Sequence, residues 1–200
     1  MLRGATETQY RERLGLVALV RSGLLKHRLV AIDGGAHVGT WTELLAEHFA
    51  EVHAFEPGPA FEFLKENARC WRNATLHHEA LADEICMVES WHRKGARAKL
   101  TARKVRKTAK GTVRAITVDS LALPQCSLIK LDLEGYEYPA LIGARETIRR
   151  CGPFVLVELA GHGKHVGRTD GDVTALLEER GYEQVWKYHV DHGFRPKEVK

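Results

Sequence analysis

Residues 29–58 constrain the fold of this chain more than any other stretch does. An apolar run, residues 29–32, ends in Asp33 and is followed by a glycine-rich turn. A helix-compatible stretch then leads to a second apolar run, which ends in Glu56. This order of strand, glycine loop, helix and strand, with an acid at the tip of each strand, predicts the unit with which an open parallel sheet binds an adenosine-containing cofactor.

The rest of the chain continues the alternation of strand and helix. Further strands are predicted at residues 74–78, 84–92, 112–118, 128–131, 154–157 and 182–188. Helices are predicted at residues 5–27, 60–72, 136–150 and 172–180. The last ten residues leave a seventh main strand undecided. The pattern predicts one α/β domain over residues 1–200, with a mainly parallel sheet of six or seven strands and helices on both faces.

Several classes of protein are excluded by the composition. No apolar stretch approaches the roughly 20 residues that a membrane-spanning helix needs. Charged residues from Arg3 to Arg13 precede any apolar run, so a signal peptide is not expected. The four cysteines are widely spaced and form no C-x-x-C motif, which favours reduced thiols. We therefore expect a cytoplasmic protein with no membrane partner.

Positive charge is concentrated in residues 93–114, which contain ten Lys or Arg residues and no acid. The rest of the chain has 20 basic and 26 acidic residues, so the net charge of +4 belongs to this segment. We expect an accessory hairpin here, or a loop with a helical piece. Three interpretations stay open: a solvated excursion, a site for an anionic acceptor, or a nucleic-acid backbone site that includes Arg103, Lys104, Arg106 and Lys107.

Two classes of cofactor compete for the glycine turn. A nicotinamide dinucleotide site favours G-x-G-x-x-G, which the turn matches except for Ala36 at the middle glycine position. An S-adenosylmethionine site favours an acid at the strand end and then glycines at alternate positions. Asp33, Gly35 and Gly39 fit that pattern, with His37 in the middle place. A dinucleotide presents a pyrophosphate to a helix N-terminus, whereas S-adenosylmethionine carries an ammonium and a sulfonium, which suit a strand-end carboxylate.

Glu56 at the second strand tip is placed to accept hydrogen bonds from both ribose hydroxyls of either cofactor. The alternative is a tight turn that binds nothing, with His37 as a solvated loop residue. Packing alone does not readily explain Asp33 together with Glu56, so the pair favours a cofactor.

Four blocks of sequence carry a resemblance to a known family. They lie at residues 33–42, 54–67, 117–121 and 129–144. In this order they resemble the FkbM-type methyltransferases, which are class I, S-adenosylmethionine-dependent enzymes. The resemblance covers about residues 29–158. It implies a Rossmann-like methyltransferase sheet of seven strands in the order 3-2-1-4-5-7-6.

The resemblance also implies roles for individual residues. Asp83 matches the place where such folds hold the adenine amino group, and Asp132 occupies the strand-four tip beside the transferred methyl. Together with Ala36 inside the loop, the candidate cofactor-binding residues are Asp33, Gly35, Ala36, His37, Gly39, Thr40, Glu56, Pro57, Asp83 and Asp132.

Acids and histidines follow the predicted strands four and five, at the edge where open α/β sheets bind ligands. The candidate catalytic residues are Asp132, Glu134, Glu158 and His162, with His165 nearby. An alcohol needs a general base at neutral pH, and His162, Asp132 or Glu158 could serve. Asp132 and Glu158 could instead hold Mg²⁺. The alternatives are that Glu134 caps the next helix and that both histidines are solvated loop residues.

The leading hypothesis is therefore an S-adenosylmethionine-dependent methyltransferase. By the family resemblance, it methylates a hydroxyl on a sugar or small metabolite. An RNA or DNA methyltransferase that uses the basic segment to hold the backbone is the runner-up. A third hypothesis is a binding or scaffold protein that keeps the fold without turnover. The helix predicted at residues 5–27 either packs on the sheet or covers its mouth as a lid.

Overall fold

The computed structural model describes residues 2–91, 104–107 and 111–198 of the 200-residue chain. In chain order, its helices and strands are α1 (Glu7–Arg21), β1 (Val30–Gly34), α2 (Thr40–His48), β2 (Glu51–Phe55), α3 (Phe61–Asn67), β3 (Ala74–His77), β4 (Ala80–Leu81), β5 (Cys86–Trp91), β6 (Lys104–Lys107), β7 (Val113–Ile116), β8 (Leu128–Leu131), α4 (Glu137–Ile142), α5 (Arg145–Cys151), β9 (Phe154–Glu158), α6 (Asp170–Glu179), β10 (Tyr182–Tyr188) and β11 (Asp191–Pro196). Short 3₁₀ turns occupy Ala68–Cys70, Val118–Leu121 and His162–Val166.

The main sheet has seven strands in the order β3-β2-β1-β8-β9-β11-β10. The pairs among β3, β2, β1, β8 and β9 are parallel, and β11 is antiparallel to both of its neighbours. Counted along the chain, this is the order 3-2-1-4-5-7-6 that the family resemblance implies. The seventh strand, undecided in the sequence, is β11. It follows β10 through a tight turn at His189 and Val190, and His189 adopts a positive φ of 52°.

Helices cover both faces of the main sheet because its central strands are apolar on both sides. Ala31 of β1 faces α1 and α2 in one core cluster, whereas the adjacent Ile32 belongs to the cluster beneath α4, α5 and α6. Fully buried side chains such as Leu45 and Leu141 anchor the two layers. Each such side chain contributes roughly 1.5–3 kcal/mol of transfer free energy.

A second, smaller sheet has the strand order β4-β7-β5-β6. In the described part of the predicted accessory hairpin, β5 pairs antiparallel with β6. Lys104, Arg106 and Lys107 lie in β6, and Arg103 lies outside the described residues. The inner side of this sheet packs on Tyr136, just beyond the end of β8. The second sheet therefore flanks the carboxyl edge of the main sheet.

Two helix predictions were wrong in extent. The N-terminal helix, predicted to reach residue 27, ends at Arg21, and Gly23 follows it with a φ of +77°. The single helix predicted at residues 136–150 is two helices, α4 and α5. Between them Gly143 lies so close to the main chain that a Cβ would be 1.9 Å from the carbonyl oxygen of Ala82. Asp119 then caps the new helix by accepting hydrogen bonds from the amides of Glu146 and Thr147.

Within the described ranges, no helix is both long enough and apolar enough to cross a membrane.

Candidate active site

The glycine turn after β1 approaches the end of β8 more closely than a side chain would allow. Gly35 has a φ of +76°, and a Cβ there would be 1.8 Å from the carbonyl oxygen of Asp132. The amides of Gly35 and Ala36 donate hydrogen bonds to the carbonyl of Phe55, at 3.0 and 2.9 Å. Gly39 has a φ of +96° at the start of α2. Glycine is needed at these positions because other residues disfavour a positive φ.

Asp33 is fully buried beneath this turn. One carboxylate oxygen accepts a hydrogen bond from the Thr42 hydroxyl at 2.6 Å, and the other lies 2.9 Å from the ammonium of Lys130. Burial alone would lower the pKa of Lys130, but the carboxylates of Asp33 and Asp132 outweigh it and raise that pKa above its ordinary value. The predicted ligand Asp33 is thus part of a buried ion pair.

Glu56 joins the two loops that follow β1 and β2. Its carboxylate accepts hydrogen bonds from the amides of His37 at 3.0 Å and Gly58 at 2.6 Å. Burial raises the pKa of Glu56, and these two amides act in the opposite direction. Each carboxylate oxygen has a second lone pair, so Glu56 can still accept from a ligand hydroxyl.

The N-terminal helix both packs on the sheet and reaches the glycine turn. Leu16 and Leu19 of α1 are fully buried in the core. The side-chain nitrogen of Gln9 lies 2.7 Å from Nδ1 of His37, which itself has a φ of +52°. Asn67 at the end of α3 donates to the carbonyl of Val38 at 2.8 Å. The helix α1 therefore packs on the sheet and contacts the glycine turn through Gln9, whereas its role as a lid stays a prediction.

Carboxylates and a histidine crowd the ends of β8 and β9. Nδ1 of His162 lies 3.1 Å from Oε2 of Glu134 and 3.9 Å from Oε2 of Glu158. Burial and the neighbouring carboxylates of Asp132, Glu134 and Glu137 together raise the pKa of Glu158 to about 9. A hydrogen bond between Glu158 and Asp132 adds to this shift. Glu158 therefore keeps its proton at neutral pH.

Glu137 holds the loop after β8 in shape. Its Oε1 accepts hydrogen bonds from the amides of Leu133 at 2.7 Å and Gly135 at 3.1 Å. Burial raises its pKa to about 7, against the effect of these amides. Glu134, for which a helix-capping role was considered, instead contacts His162 and adopts a φ of +54°. Positive φ at a non-glycine residue is uncommon and clusters at functional sites.

The structure gathers the predicted residues into two neighbouring groups. Asp33, Gly35, Ala36, His37, Gly39, Thr40, Glu56 and Pro57 lie at the carboxyl ends of β1 and β2. Asp132, Glu134, Glu158 and His162 lie at the carboxyl ends of β8 and β9, and Nδ1 of His165 contacts the carbonyl of His162 at 2.9 Å. Asp83 follows β4. The sequence reasoning missed Lys130 and Gln9. A lone lysine inside the apolar strand β8 was the available signal for Lys130.

The predicted Mg²⁺ site has no support. Across residues 2–91, 104–107 and 111–198, no three or more histidine, cysteine, aspartate or glutamate side chains are grouped so that they could hold a metal ion.

Comparison with known proteins agrees with this geometry. The sequence profile of the methyltransferase FkbM domain matches residues 33–183. Among curated proteins, none matches this chain.

Solved methyltransferases share the fold. A methyltransferase FkbM from Methylobacillus flagellatus KT has a TM-score of 0.59 and 18% identity, over 88% of this chain and 45% of that one. Magnesium protoporphyrin IX methyltransferase (ChlM) from Synechocystis PCC 6803, solved with bound SAH, has a TM-score of 0.54 and 12% identity, over 94% of this chain and 83% of that one. N-methyltransferase NodS from Bradyrhizobium japonicum WM9 has a TM-score of 0.53 and 13% identity, over 96% of this chain and 98% of that one. This chain thus spans less than half the length of the M. flagellatus protein.

Proposed function

This chain belongs to the FkbM methyltransferase family, and from that membership we propose that it transfers a methyl group from S-adenosylmethionine to a hydroxyl of a sugar or small metabolite. The profile match over residues 33–183 carries the proposal, because it includes both groups of site residues. Methyl transfer from a sulfonium is an in-line displacement, for which an enzyme mainly supplies alignment and excludes water.

The residues after β1 and β2 fit this cofactor. S-adenosylmethionine, when bound, supplies an electrophilic methyl group on a positively charged sulfur. The positive φ angles of Gly35 and Gly39 give the turn the shape in which its backbone would approach the cofactor. Glu56 would accept hydrogen bonds from the ribose hydroxyls, beside Pro57, and Asp83 would hold the adenine amino group. Asp132, whose side chain is 39% exposed, would face the sulfur end.

The residues after β8 and β9 would prepare the acceptor. Glu158 keeps its proton near pH 7 because its pKa is raised to about 9, which leaves it a poor base there. His162 is the better general base. Glu134, 3.1 Å from Nδ1, would orient the ring so that Nε2 takes the hydroxyl proton. A histidine fixed by a carboxylate is a common arrangement for activating a weak nucleophile.

Cofactor binding is tested by calorimetry with S-adenosylhomocysteine. We expect the wild-type chain to bind it and Glu56→Ala to weaken binding about 100-fold, because the variant loses the ribose acceptor and leaves two buried amides unpaired. Lys26→Met, at a 70% exposed side chain away from the glycine turn, is the matched control and should bind normally. No binding by the wild-type chain would refute the methyltransferase proposal.

The acceptor is tested by transfer of a tritiated methyl group into fractions of cell extract that contain glycans, small metabolites, RNA or DNA. Label in a glycan or metabolite fraction supports the proposal. Binding of S-adenosylhomocysteine with no transfer into any fraction would favour the binding-protein hypothesis instead.

A nucleic-acid acceptor is the second candidate. The second sheet contains β6 and packs beside Leu133 and Val166, close to the ends of β8 and β9. The basic segment would then hold a phosphate backbone near the acceptor site. Binding to RNA or DNA should weaken steeply with added salt and with joint replacement of Lys104, Arg106 and Lys107 by glutamine. Absence of binding at low salt would eliminate this candidate.

A further inference from the structure

Lys130 is a buried cation in the middle of the site. It lies on β8 between apolar residues, and its side chain is only 3% exposed. Burying an ammonium group is unfavourable unless it is paired and hydrogen-bonded. The partners of Lys130 therefore indicate what it does.

Those partners all belong to the ligand-binding edge of the sheet. The ammonium lies 2.9 Å from Oδ1 of Asp33 and 3.9 Å from Oδ2 of Asp132. It also donates to the backbone carbonyls of Gly34 at 3.3 Å and Gly35 at 3.4 Å. The Trp41 ring is also near, with its centroid 5.3 Å from the ammonium nitrogen. One side chain thus joins the tip of β1, the glycine turn and the tip of β8.

We propose that Lys130 is a positioning residue for the cofactor. The ammonium group of Lys130 is the internal counter-ion of Asp33, and it holds the glycine turn by donating hydrogen bonds to the carbonyls of Gly34 and Gly35. This inference rests on the proposed function. It changes the role predicted for Asp33, because this carboxylate is fully buried and its two oxygens contact Thr42 and Lys130 inside the protein. Asp33 then shapes the turn and does not itself take the ammonium of the cofactor.

The charge balance supports this division of roles. Among these three residues, Asp33 and Asp132 supply two negative charges and Lys130 supplies one positive charge, and Asp191 adds a weaker attraction for Lys130. The uncompensated charge falls on Asp132, which is the exposed member of the three. A sulfonium beside Asp132 would then meet one net negative charge, whereas without Asp33 it would meet a buried lysine with only one carboxylate partner.

The test is a double-mutant cycle with Lys130→Met, Asp33→Asn and the combined variant. Each single variant leaves a buried group without its partner, and we expect a loss of about 10 °C in Tm. The combined variant replaces the ion pair with uncharged groups of similar size and should regain most of that loss. Its Kd for S-adenosylhomocysteine should nevertheless stay at least about tenfold weaker than wild type, because the carbonyls of the turn have lost their donor.

If Lys130 only stabilises the fold, the combined variant should regain its affinity for S-adenosylhomocysteine together with its Tm, which would contradict the proposal. A combined variant no more stable than Lys130→Met would contradict the pairing with Asp33. Lys26→Met is the control, and it should change neither Tm nor Kd appreciably.

Hydrogen exchange separates this inference from the proposed function. In the ligand-free protein, a peptide that covers residues 33–39 should exchange faster in the combined variant than in wild type or Lys26→Met. If the wild-type chain fails to bind S-adenosylhomocysteine, the methyltransferase proposal fails. Hydrogen exchange in the ligand-free protein still tests whether Lys130 holds the glycine turn. Unchanged exchange in residues 33–39 would overturn the inference.

Discussion

Charged side chains are paired differently at two neighbouring places in the site. One is at the carboxyl ends of β1 and β2, and the other is at the carboxyl ends of β8 and β9. At the first end, each charge has fixed partners: Asp33 has Lys130, and Glu56 has two backbone amides. At the second end, like charges face one another, so Glu158 keeps a proton and His162 contacts two carboxylates. The first arrangement favours rigidity, and the second favours proton exchange near neutral pH.

The contrast in rigidity is tested most strongly by two glycines with similar positive φ angles. Gly35, at the first end, has a φ of +76°, and a Cβ would be 1.8 Å from a backbone oxygen. Gly161, beyond β9, has a φ of +73° and no atom within 4 Å of an added Cβ. We expect Gly35→Ala to cost about 3–5 kcal/mol of unfolding free energy, from steric overlap and strain, and Gly161→Ala about 1 kcal/mol from strain alone.

Urea unfolding of the two variants measures this difference, with equal slopes confirming that the same structure unfolds. Similar losses in both variants would mean that the turn after β1 yields as easily as the loop after β9. The proposed difference between the two ends would then be wrong.

The contrast in proton exchange is tested by His162→Ala. We expect the rate of methyl transfer to fall about 100-fold, equivalent to about 2.7 kcal/mol, because the variant lacks the proposed general base. The Kd for S-adenosylhomocysteine should change little, since His162 lies at the acceptor end. Glu134→Gln should produce a smaller loss of about tenfold by leaving the ring less well oriented.

His27→Ala, at an exposed residue before β1, is the matched control for initial rates. Equal rates in His162→Ala and His27→Ala would assign proton removal to another group. A large loss of cofactor affinity in His162→Ala would show that the two ends do not act separately.

Much of this site could be predicted because it follows from strand polarity. Parallel strands place their carboxyl ends at one edge, so the acids after the runs at 29–32, 128–131 and 154–157 had to meet there. The partner of each acid could not be predicted in the same way. Lys130 contacts Asp33 because β8 lies beside β1, a neighbour relation between residues 97 positions apart in the sequence. Asp119, which caps α5, depends on a similar distant contact.

Element boundaries failed where a tertiary contact overrode local preference. Residues 136–150 have a helical pattern throughout, yet the close approach of Gly143 to Ala82 interrupts the helix. The strand β11 was hard to predict for the complementary reason. Six residues are enough for β11 because β9 and β10 flank it and both offer hydrogen-bonding groups, but these residues form a weak pattern by themselves.

The last expected effect concerns the dependence of stability on pH at the ends of β8 and β9. Burial and neighbouring carboxylates raise the pKa of Glu158 to about 9 from an ordinary value near 4.5, so the folded state binds this proton more tightly than the unfolded chain does. The resulting stability is complete below about pH 4.5 and is lost as the pH rises through 9, with a slope of at most about 1.4 kcal/mol per pH unit. Glu137, whose pKa is about 7, contributes in the same direction only below that value.

The interval between pH 7 and 9 therefore isolates Glu158 from Glu137. Over this interval, the unfolding free energy of wild type should decrease as pH rises, whereas that of Glu158→Gln should decrease less, because the amide imitates the protonated carboxyl and keeps a donor for Asp132. The exposed Glu179→Gln on α6 should follow wild type. Parallel curves for wild type and Glu158→Gln would mean that Glu158 ionises normally. In that case Glu158, like His162, would be free to act as the general base at neutral pH.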